Sequence, residues 1–474
     1  MDSILYQNAE RTVTVIDIPT SIAEAQGTKD HPHRAELLSL PPPKVPYRGP
    51  GAKSEKAKRR VANLFDEKID AAYRALVTEA LEDINSKHTG NWFLPRKELP
   101  PVEPLQKSKK RKAWQLYLPE SSTEVGETNE TVSIPGTTDV ALVPKLPQDF
   151  FPSLLKNAGK FVQREKRIVS DEDLEEPECP FDTLYHNPDD RLVTLSITHQ
   201  RNSLQKTYSF NIPPGSTFLL SDCKHTTDFR NSIRCMSQEH DTPKRFDFIL
   251  LDPPWPNSSA KNKNTYNTTR DLSEMSRLLL KMELDAYINP NGIIGVWITN
   301  RPSVRDLVLD PENGLFASWN ITLCEEWVWL KTLHNGEPVL SLDHNLRKPY
   351  EVLLLGRRPE NQYEWATPLN HVKRRVIAAV PDLHSRKPCV KRLVGDLLEE
   401  GYSAMEIFGR YCVAGWWTWG NEAIKYNWEE FWVGQEAEKQ AGSCREAERN
   451  GGEAGVDERA TIDEEPVARA CDEA

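Results

Sequence analysis

Leu250-Leu251-Asp252-Pro253-Pro254-Trp255 closes an apolar run that begins at Phe246 and contains a single charge, Asp247. A run of this kind reads as a parallel strand buried on both faces. Neither proline can continue a sheet ladder, because each lacks an N–H and has its φ fixed. The strand therefore stops at Asp252 and passes into a stiff turn. In open α/β sheets, ligands sit just outside the carboxyl ends of strands.

Working outward, strands and helices alternate. The pattern predicts strand 246–251, helix 271–282, strand 293–299, helix 302–309, strand 321–330, a loop holding Asn335-Gly336, strand 350–355, helix 388–399, strand 402–408 and a short strand over Gly415 to Trp419. Upstream, Arg191 to Ile197 alternates apolar and polar residues and is expected to pair with Tyr208 to Ile212, ahead of a strand over Thr217 to Leu220. The fold class that follows is α/β, a mostly parallel sheet with helices on both faces.

Residues 61–118 are expected to form a helical region. Val61, Leu64, Phe65, Ile69, Ala72, Leu76, Ala80 and Ile84 recur at helical spacing. That stripe packs on the main domain or pairs with a partner protein, and the first is favoured. Residues 1–60, broken by Pro41-Pro42-Pro43 and Pro46 to Pro50, are expected to lack structure, as are a linker over 119–147 and an acidic tail over 433–474. A catalytic domain over 148–432 remains.

The chain has 474 residues, and its 35 prolines suggest substantial unfolded segments, while a net charge of −11 argues against a protein that simply coats nucleic acid. Basic clusters at Lys53 to Arg60, Lys107 to Lys112, Lys373 to Arg375 and Arg386 to Arg392 leave room for a nucleic-acid groove on an acidic protein. Apo binding is expected to rest on the last two, and Lys107 to Lys112 resembles a nuclear import signal. The eight cysteines form no C-x-x-C pair, so no zinc site or disulfide framework is expected, and a reducing compartment, nucleus or cytosol, follows. No signal peptide or membrane span is expected.

The tetrapeptide suits a definite chemistry. An exocyclic amine on a base is a poor nucleophile, because its lone pair is delocalised into the ring. The Asp252 carboxylate and the Pro253 carbonyl can accept its two N–H protons. Pro254 has no N–H to bond that carbonyl locally, and Trp255 offers a stacking face. A cofactor must then bind elsewhere. Tyr402 to Arg410 reads as a strand ending in Glu406, Phe408, Gly409 and Arg410, where glycine permits close approach of the backbone to a ligand. Trp416 to Glu422 ends a second strand with Asn421 and Glu422, which could bond ribose hydroxyls. His384-Ser385-Arg386-Lys387-Pro388 is a basic turn apt for a carboxylate, and Asp222 closes the strand ahead of Asp252.

Asp-Pro-Pro-Trp, then His-Ser-x-Lys-Pro, Glu-x-Phe-Gly-Arg and Trp-x-x-Trp-Gly-Asn-Glu, in that order, resembles the adenine-N6 methyltransferases that include the eukaryotic messenger-RNA adenosine methylase. The methyltransferase-like protein 4 branch is the nearest in pattern. The resemblance covers about Gly215 to Trp428 and rests also on Phe218 to Asp222, Val296 to Arg301, Glu326 to Lys331 and Lys348 to Glu351. It implies a Rossmann-like methyltransferase sheet with permuted motif order and S-adenosylmethionine as cofactor, with no metal required. It implies that Asp252, Pro253, Pro254 and Trp255 hold the target amine and base. Lys387 would take the methionyl carboxylate and Asp222 the cofactor adenine. Arg410, Asn421 and Glu422 would face the ribose, with Glu406, Phe408 and Gly409 beside them. Asn257, Lys261, Tyr266 and Asn300 would enclose the target nucleoside. Two positions depart from the pattern, Pro256 and Tyr411.

Single-stranded nucleic acid, or an adenine flipped from a duplex, is the implied substrate. RNA, such as small nuclear RNA, is favoured over DNA. A non-catalytic subunit is the rival from another class, and the intact tetrapeptide argues against it. Protein-glutamine methylation is disfavoured, because there the cofactor motif precedes the tetrapeptide.

Overall fold

The computed structural model describes residues 2–47, 65–99, 161–164, 167–170, 184–201, 204–256, 271–344, 347–361, 363–383 and 386–434. In chain order the strands are β1 (Ile4–Gln7), β2 (Val13–Ile16), β3 (Glu36–Leu37), β4 (Phe161–Arg164), β5 (Arg167–Ser170), β6 (Leu184–His186), β7 (Val193–Arg201), β8 (Leu204–Ile212), β9 (Thr217–Leu219), β10 (Phe246–Leu251), β11 (Ile288–Ile298), β12 (Thr322–Lys331), β13 (Tyr350–Arg357), β14 (Lys373–Ala379), β15 (Ala404–Ile407), β16 (Trp416–Trp419) and β17 (Trp432–Val433). The helices are α1 (Ile18–Glu24), α2 (Glu67–Lys87), α3 (Thr226–His240), α4 (Leu272–Lys281), α5 (Pro302–Leu309), α6 (Leu315–Ser318) and α7 (Lys391–Val394).

β10 lies inside an eleven-stranded sheet of order β1-β2-β14-β12-β13-β11-β10-β15-β16-β9-β6. Its neighbours β11 and β15 both run parallel to it. Only β1, β13 and β6 oppose the common direction, so the sheet is mostly parallel as expected. The chain leaves β10 towards β11 and returns later to fill β15 on the other side, a switch point where α/β sheets open a crevice.

Both faces are buried, and β10 shows how: Phe248 and Leu250 enter one core while Phe246, Ile249 and Leu251 enter the other. Burying each such side chain stabilises the fold by about 1.5–3 kcal/mol. The two covers differ. Helices α2, α3, α4, α5 and α6 pack on one face; the other is covered by α1, the short α7 and the antiparallel hairpin of β7 and β8. In that hairpin Ile197 opposes Tyr208, the pairing the alternation predicts.

Helix α2 begins where Asp66 accepts from the N–H groups of Lys68 and Ile69. It buries Tyr73, Val77, Ala80 and Ile84 against the sheet, so the buried face takes in Ala80 and Ile84 of the expected stripe but is centred on Tyr73 and Val77, with Ile69 and Leu76 partly buried at its margin; Val61 and Leu64 lie outside the described residues. Buried polar contacts fix it further: Asp70 accepts from Lys348 Nζ (2.8 Å) and from the Tyr350 hydroxyl (2.7 Å).

Three expectations need correction. Residues 1–60 are not structureless throughout: β2 runs parallel to β14, and Ile16, Ile18 and Ile22 are fully buried. Proline and polar residues set the composition there, but the isoleucines decide the packing. The helix expected over 388–399 shrinks to α7 and a 3₁₀ turn over Gly395–Leu397, because Leu398 is already extended on the way to β15. Lys373 to Arg375 open β14, and two of the three charges are already paired: buried Arg375 with Glu325 (2.6 Å) and exposed Arg374 with Glu326 (2.7 Å). Lys53 to Arg60, Lys107 to Lys112, the linker over 119–147 and the tail beyond Gly434 lie outside the described residues.

If the N-terminal strand is part of the sheet, Ile16→Ala should cost about 2–5 kcal/mol of stability, as large-to-small changes in packed cores do. Chemical denaturation of the two proteins measures it; an unchanged midpoint would mean that β2 contributes nothing.

Candidate active site

Four parallel strands end at one level. Leu251 pairs with Ile407, Ile407 with Trp419, and Trp419 with Leu219. Backbone bonds stitch the exits together: the Asp252 N–H donates to Ile407 (3.3 Å), Phe408 to Trp419 (2.7 Å) and Gly420 to Leu219 (3.2 Å). One edge therefore receives Asp252, Phe408-Gly409-Arg410, Asn421-Glu422 and Asp222. The crossing is tight. Phe408 sits at φ +64°, a conformation that costs a bulky residue energy and that marks functional turns. A Cβ on Gly409 would come within 2.5 Å of Thr418 Cγ2, so glycine is required there.

A cavity of about 500 Å³, counting its open mouth, lies against these exits and is lined by Asp252, Lys387, Glu406, Phe408, Arg410 and Tyr411, among others. Asp252 and Lys387 are 135 residues apart and in direct contact: Nζ donates to both carboxylate oxygens, at 2.8 and 2.7 Å. Glu351 stands 3.5 Å from the same Nζ and also binds Lys331. The four charges alternate in sign along a chain. Burial would raise the Glu351 pKa, but Lys331 and Lys387 hold it down at about 2. Burial would likewise lower the Lys387 pKa, and Asp252 and Glu351 together raise it. Lys387 stays charged. Glu406 behaves oppositely: burial, then the Asp252 charge, push it up to about 8, so it carries a proton at neutral pH.

In the tetrapeptide, the Pro253 carbonyl is not left without a local partner, because the Trp255 N–H reaches back to it (2.8 Å). The bond comes from one residue beyond Pro254, and one lone pair on that oxygen remains. The Trp255 indole is pinned through Nε1 to the Trp297 carbonyl (2.8 Å), and Arg301 donates to the Pro256 carbonyl (2.9 Å).

The remaining expected residues spread around this centre. Glu422 faces Arg410 at 3.4 Å and Lys425 at 2.9 Å. Asn421 is half-buried at the same exit, outside the cavity lining. Asp222 caps the turn into α3 by accepting the Lys224 N–H (3.0 Å). Asn300 lies away from the lining and donates to the Tyr350 carbonyl (2.7 Å), where it holds the start of β13. Asn257, Lys261 and Tyr266 fall outside the described residues.

From Arg386 to Lys391 the run is turned inward, contrary to its reading as a phosphate-binding surface: Arg386 pairs with Asp382 (2.9 Å), Lys387 with Asp252 and Lys391 with the Ala414 carbonyl (2.8 Å), while Arg392 stays exposed and pairs with Asp2. The burial of Phe248, Leu250 and Ile377 beneath it makes this segment a roof for the cavity. Two neighbours of the site, Glu351 and Lys331, received no role from the sequence, and Arg386 was read only as part of the basic turn apt for a carboxylate. Glu351 stood in a recognised motif without a role. Lys331 ends a strand, a place where a cation reads as solvated. Arg386 lines the cavity with its Nε and Nη2 lacking partners, the edge that binds carboxylates side-on.

Comparison with known proteins follows the same outline. The MT-A70 family profile matches residues 246–422. The chain carries an MT-A70 domain over these residues. That match begins at β10 and ends at Glu422, so it takes in the strand exits at Asp252, Phe408 to Arg410 and Asn421-Glu422, and leaves out the β9 exit at Asp222. Among relatives, an N6-methyladenosine RNA methyltransferase MTA1 of Cryphonectria parasitica is 28% identical over 91% of this chain and 94% of its own length. The human N(6)-adenine-specific methyltransferase METTL4 is 32% identical over 48% of this chain and 45% of its own. A Caenorhabditis elegans DNA N6-methyl methyltransferase is 30% identical over 42% of this chain and 49% of its own. Likeness to the MTA1 protein thus extends over the N-terminal elements outside the MT-A70 match.

The Glu406 proton makes a pH signature. Its pKa in the folded chain, about 8, exceeds the ordinary value near 4.3 of an unfolded glutamate, so its contribution to stability is full below pH 4 and is lost as pH rises towards 8. Glu406→Gln removes that dependence. Melting curves should therefore show the variant gaining on the wild type between pH 5 and 8; a constant difference would mean that Glu406 is already ionised at pH 5.

Proposed function

We propose that the chain transfers a methyl group from S-adenosylmethionine to N6 of adenine in RNA. The observation that carries this reading is the meeting of Asp252 with Lys387, Glu406 and Arg410 around one cavity at the strand ends. The residues there fit the cofactor. Lys387 and Arg386 suit its carboxylate, Glu406 and Arg410 flank the methionyl-to-ribose part, Glu422 and Asn421 suit the ribose diol, and Asp222 suits the adenine amine. The exits holding Gly409 and Gly420 pack directly on each other: a Cβ on Gly420 would lie 3.1 Å from the Gly409 carbonyl oxygen. When bound, the cofactor supplies a methyl group on a sulfonium, already a good leaving group, so the protein's part is alignment and electrostatics.

Asp252 and the Pro253 carbonyl would accept the two N–H groups of the amine, and Trp255 would stand against the base. Asp252 takes two of the three N–H groups of Lys387. Lys387 would turn from Asp252 to the methionyl carboxylate while Glu351 keeps it in place, which frees both Asp252 oxygens. A base inside a duplex is out of reach, so the adenine is single-stranded or flipped. RNA is favoured because likeness to the MTA1 protein spans nearly the whole of both chains. DNA is the second reading, supported by the DNA-acting relative over a shorter span. The nucleus is the compartment that fits this substrate together with the basic run Lys107 to Lys112.

Asp252→Asn separates these roles. Transfer to an adenine-containing RNA should fall by roughly 10²–10⁴-fold, the range seen when a positioned proton-accepting group is lost. Cofactor affinity by calorimetry should not weaken, because Lys387 loses its competitor. Wild-type turnover in this variant, or loss of cofactor binding, would overturn the assignment.

A further inference from the structure

Helix α1 and the turn that ends it reach both walls of the cavity. On the roof, the Cys389 N–H donates to Ser21 Oγ (3.0 Å). On the other wall the chain leaves the β15 exit through Arg410, Tyr411 and Cys412. There the Ala414 N–H donates to the Ala25 carbonyl (2.8 Å), and Gln26 Nε2 donates to the Cys412 carbonyl (2.9 Å). Cys389, Arg410 and Tyr411 line the cavity; Ser21, Ala25 and Gln26 do not. The helix acts on the walls from outside them.

Gln26 closes a ring of hydrogen bonds. Its Oε1 accepts from Asn427 Nδ2 (2.8 Å), and Asn427 Oδ1 accepts from the Cys412 N–H (2.7 Å). Two side-chain amides thus hold both polar groups of the Cys412 backbone and also bond each other. Each amide is engaged at oxygen and at nitrogen, so turning either one over would set like groups against each other. The ring is tied further out. Gln26 Nε2 also donates to the Ile22 carbonyl (3.3 Å), and Asn427 Nδ2 donates to the Asn211 carbonyl (2.8 Å) of β8. Lys391 Nζ joins the roof to the same wall through the Ala414 carbonyl (2.8 Å).

These amides are deep inside: Gln26 is 1% exposed and Asn427 is fully enclosed. Buried hydrogen bonds replace bonds to water, so the net stability they add is modest. What they add is direction. A leucine at position 26 would fill similar space and leave the Cys412 carbonyl unaimed. Cys412 follows Tyr411 directly, and Tyr426, next to Asn427, donates its N–H to the Arg410 carbonyl (2.9 Å) and lines the cavity as well. The wall that carries Arg410 and Tyr411 is therefore set by the amide ring, and the roof that carries Lys387 is set by Ser21.

We propose that Ser21 and Gln26 are positioning residues for the cofactor, with α1 holding the roof and the Arg410–Tyr411 wall at the one separation that the ligand fits. The inference rests on the reading of the cavity as the S-adenosylmethionine site. Residues 18–26 lie outside the MT-A70 match, so a chain cut to that match would lack this clamp.

The test uses the full chain and S-adenosylhomocysteine, the demethylated cofactor, so that binding is read without turnover. Gln26→Leu removes the three bonds of the amide, and Ser21→Ala frees the roof from the helix. Ile16→Ala is the control for simple loosening, because it weakens the same N-terminal segment and makes none of these bonds. Calorimetry is run at a temperature where denaturation curves show every protein folded. Affinity should fall about 10-fold in Gln26→Leu, the low end of what is lost when groups that orient metal ligands are removed. Ser21→Ala should also bind more weakly, and Ile16→Ala should bind as the wild type does despite its lower midpoint. With cofactor saturating, KM for the RNA should be the same in all four proteins. Wild-type affinity in both Gln26→Leu and Ser21→Ala would overturn the proposal. So would an equal loss in Ile16→Ala, which would make the effect one of stability alone. A wild-type chain that did not bind the probe would overturn both this proposal and the cofactor reading. The expected pattern of affinities in a chain that made no N6-methyladenosine would contradict the proposed reaction and support the clamp.

Discussion

The register across β10, β15, β16 and β9 is the constraint on which the site depends. Because Leu251, Ile407, Trp419 and Leu219 stand in one row, the four exits deliver their polar residues to one edge. Side chains alternate along a strand, so a one-residue slip of β15 would turn Glu406 into the opposite core and bring Ile407 towards the cavity. Three aromatic or aliphatic neighbours in β16 resist that slip. Trp416 enters one core and Trp417 and Trp419 the other, and exchanging them would expose no less than a layer of indoles to mismatched packing.

The unequal covering of the sheet explains where the cavity can exist. Five helices, the longest of 21 residues, pack on one face. On the other, the cover is assembled from short pieces, and the segment from Arg386 to Val390 closes the cavity as one of them. The N-terminal residues support that segment from outside. The Cys389 N–H donates to Ser21 Oγ (3.0 Å), Arg386 donates to the Leu38 carbonyl (2.8 Å), and Asp382 accepts from the Leu40 N–H (2.8 Å). The placement of Lys387 therefore depends on a stretch far from it in sequence. Arg386, fully enclosed with its guanidinium 4.4 Å above the Tyr426 ring, gives the roof its rigidity.

Much of this was legible because it is local. The strand before Asp252, its proline stop, the α4 and α5 boundaries and the β7–β8 pairing all follow from periodicity and from residues that cap or break elements. The same holds for the residues the cavity gathers: Asp252, Lys387, Glu406, Phe408 and Arg410 announced themselves as strand exits or as a basic turn. What sequence hid was long-range. Composition marked residues 4–37 as unfolded, yet their few isoleucines find a waiting sheet edge at β14. Arg374, Arg375 and Arg386 looked like a surface for phosphate until Glu326, Glu325 and Asp382, distant or buried, proved to be their partners. The direct contact of Asp252 with Lys387 could not be read from either residue alone.

The most direct measurement of the central claim is the identity of the product nucleoside. The wild-type chain would be incubated with isotopically labelled S-adenosylmethionine and with RNA and DNA oligomers of matched sequence, which are then digested and weighed by mass spectrometry. The account predicts labelled N6-methyladenosine from the RNA, in excess over any labelled product from the DNA. Label at another position or base, a strong preference for DNA, or no labelled nucleoside from either polymer would contradict it.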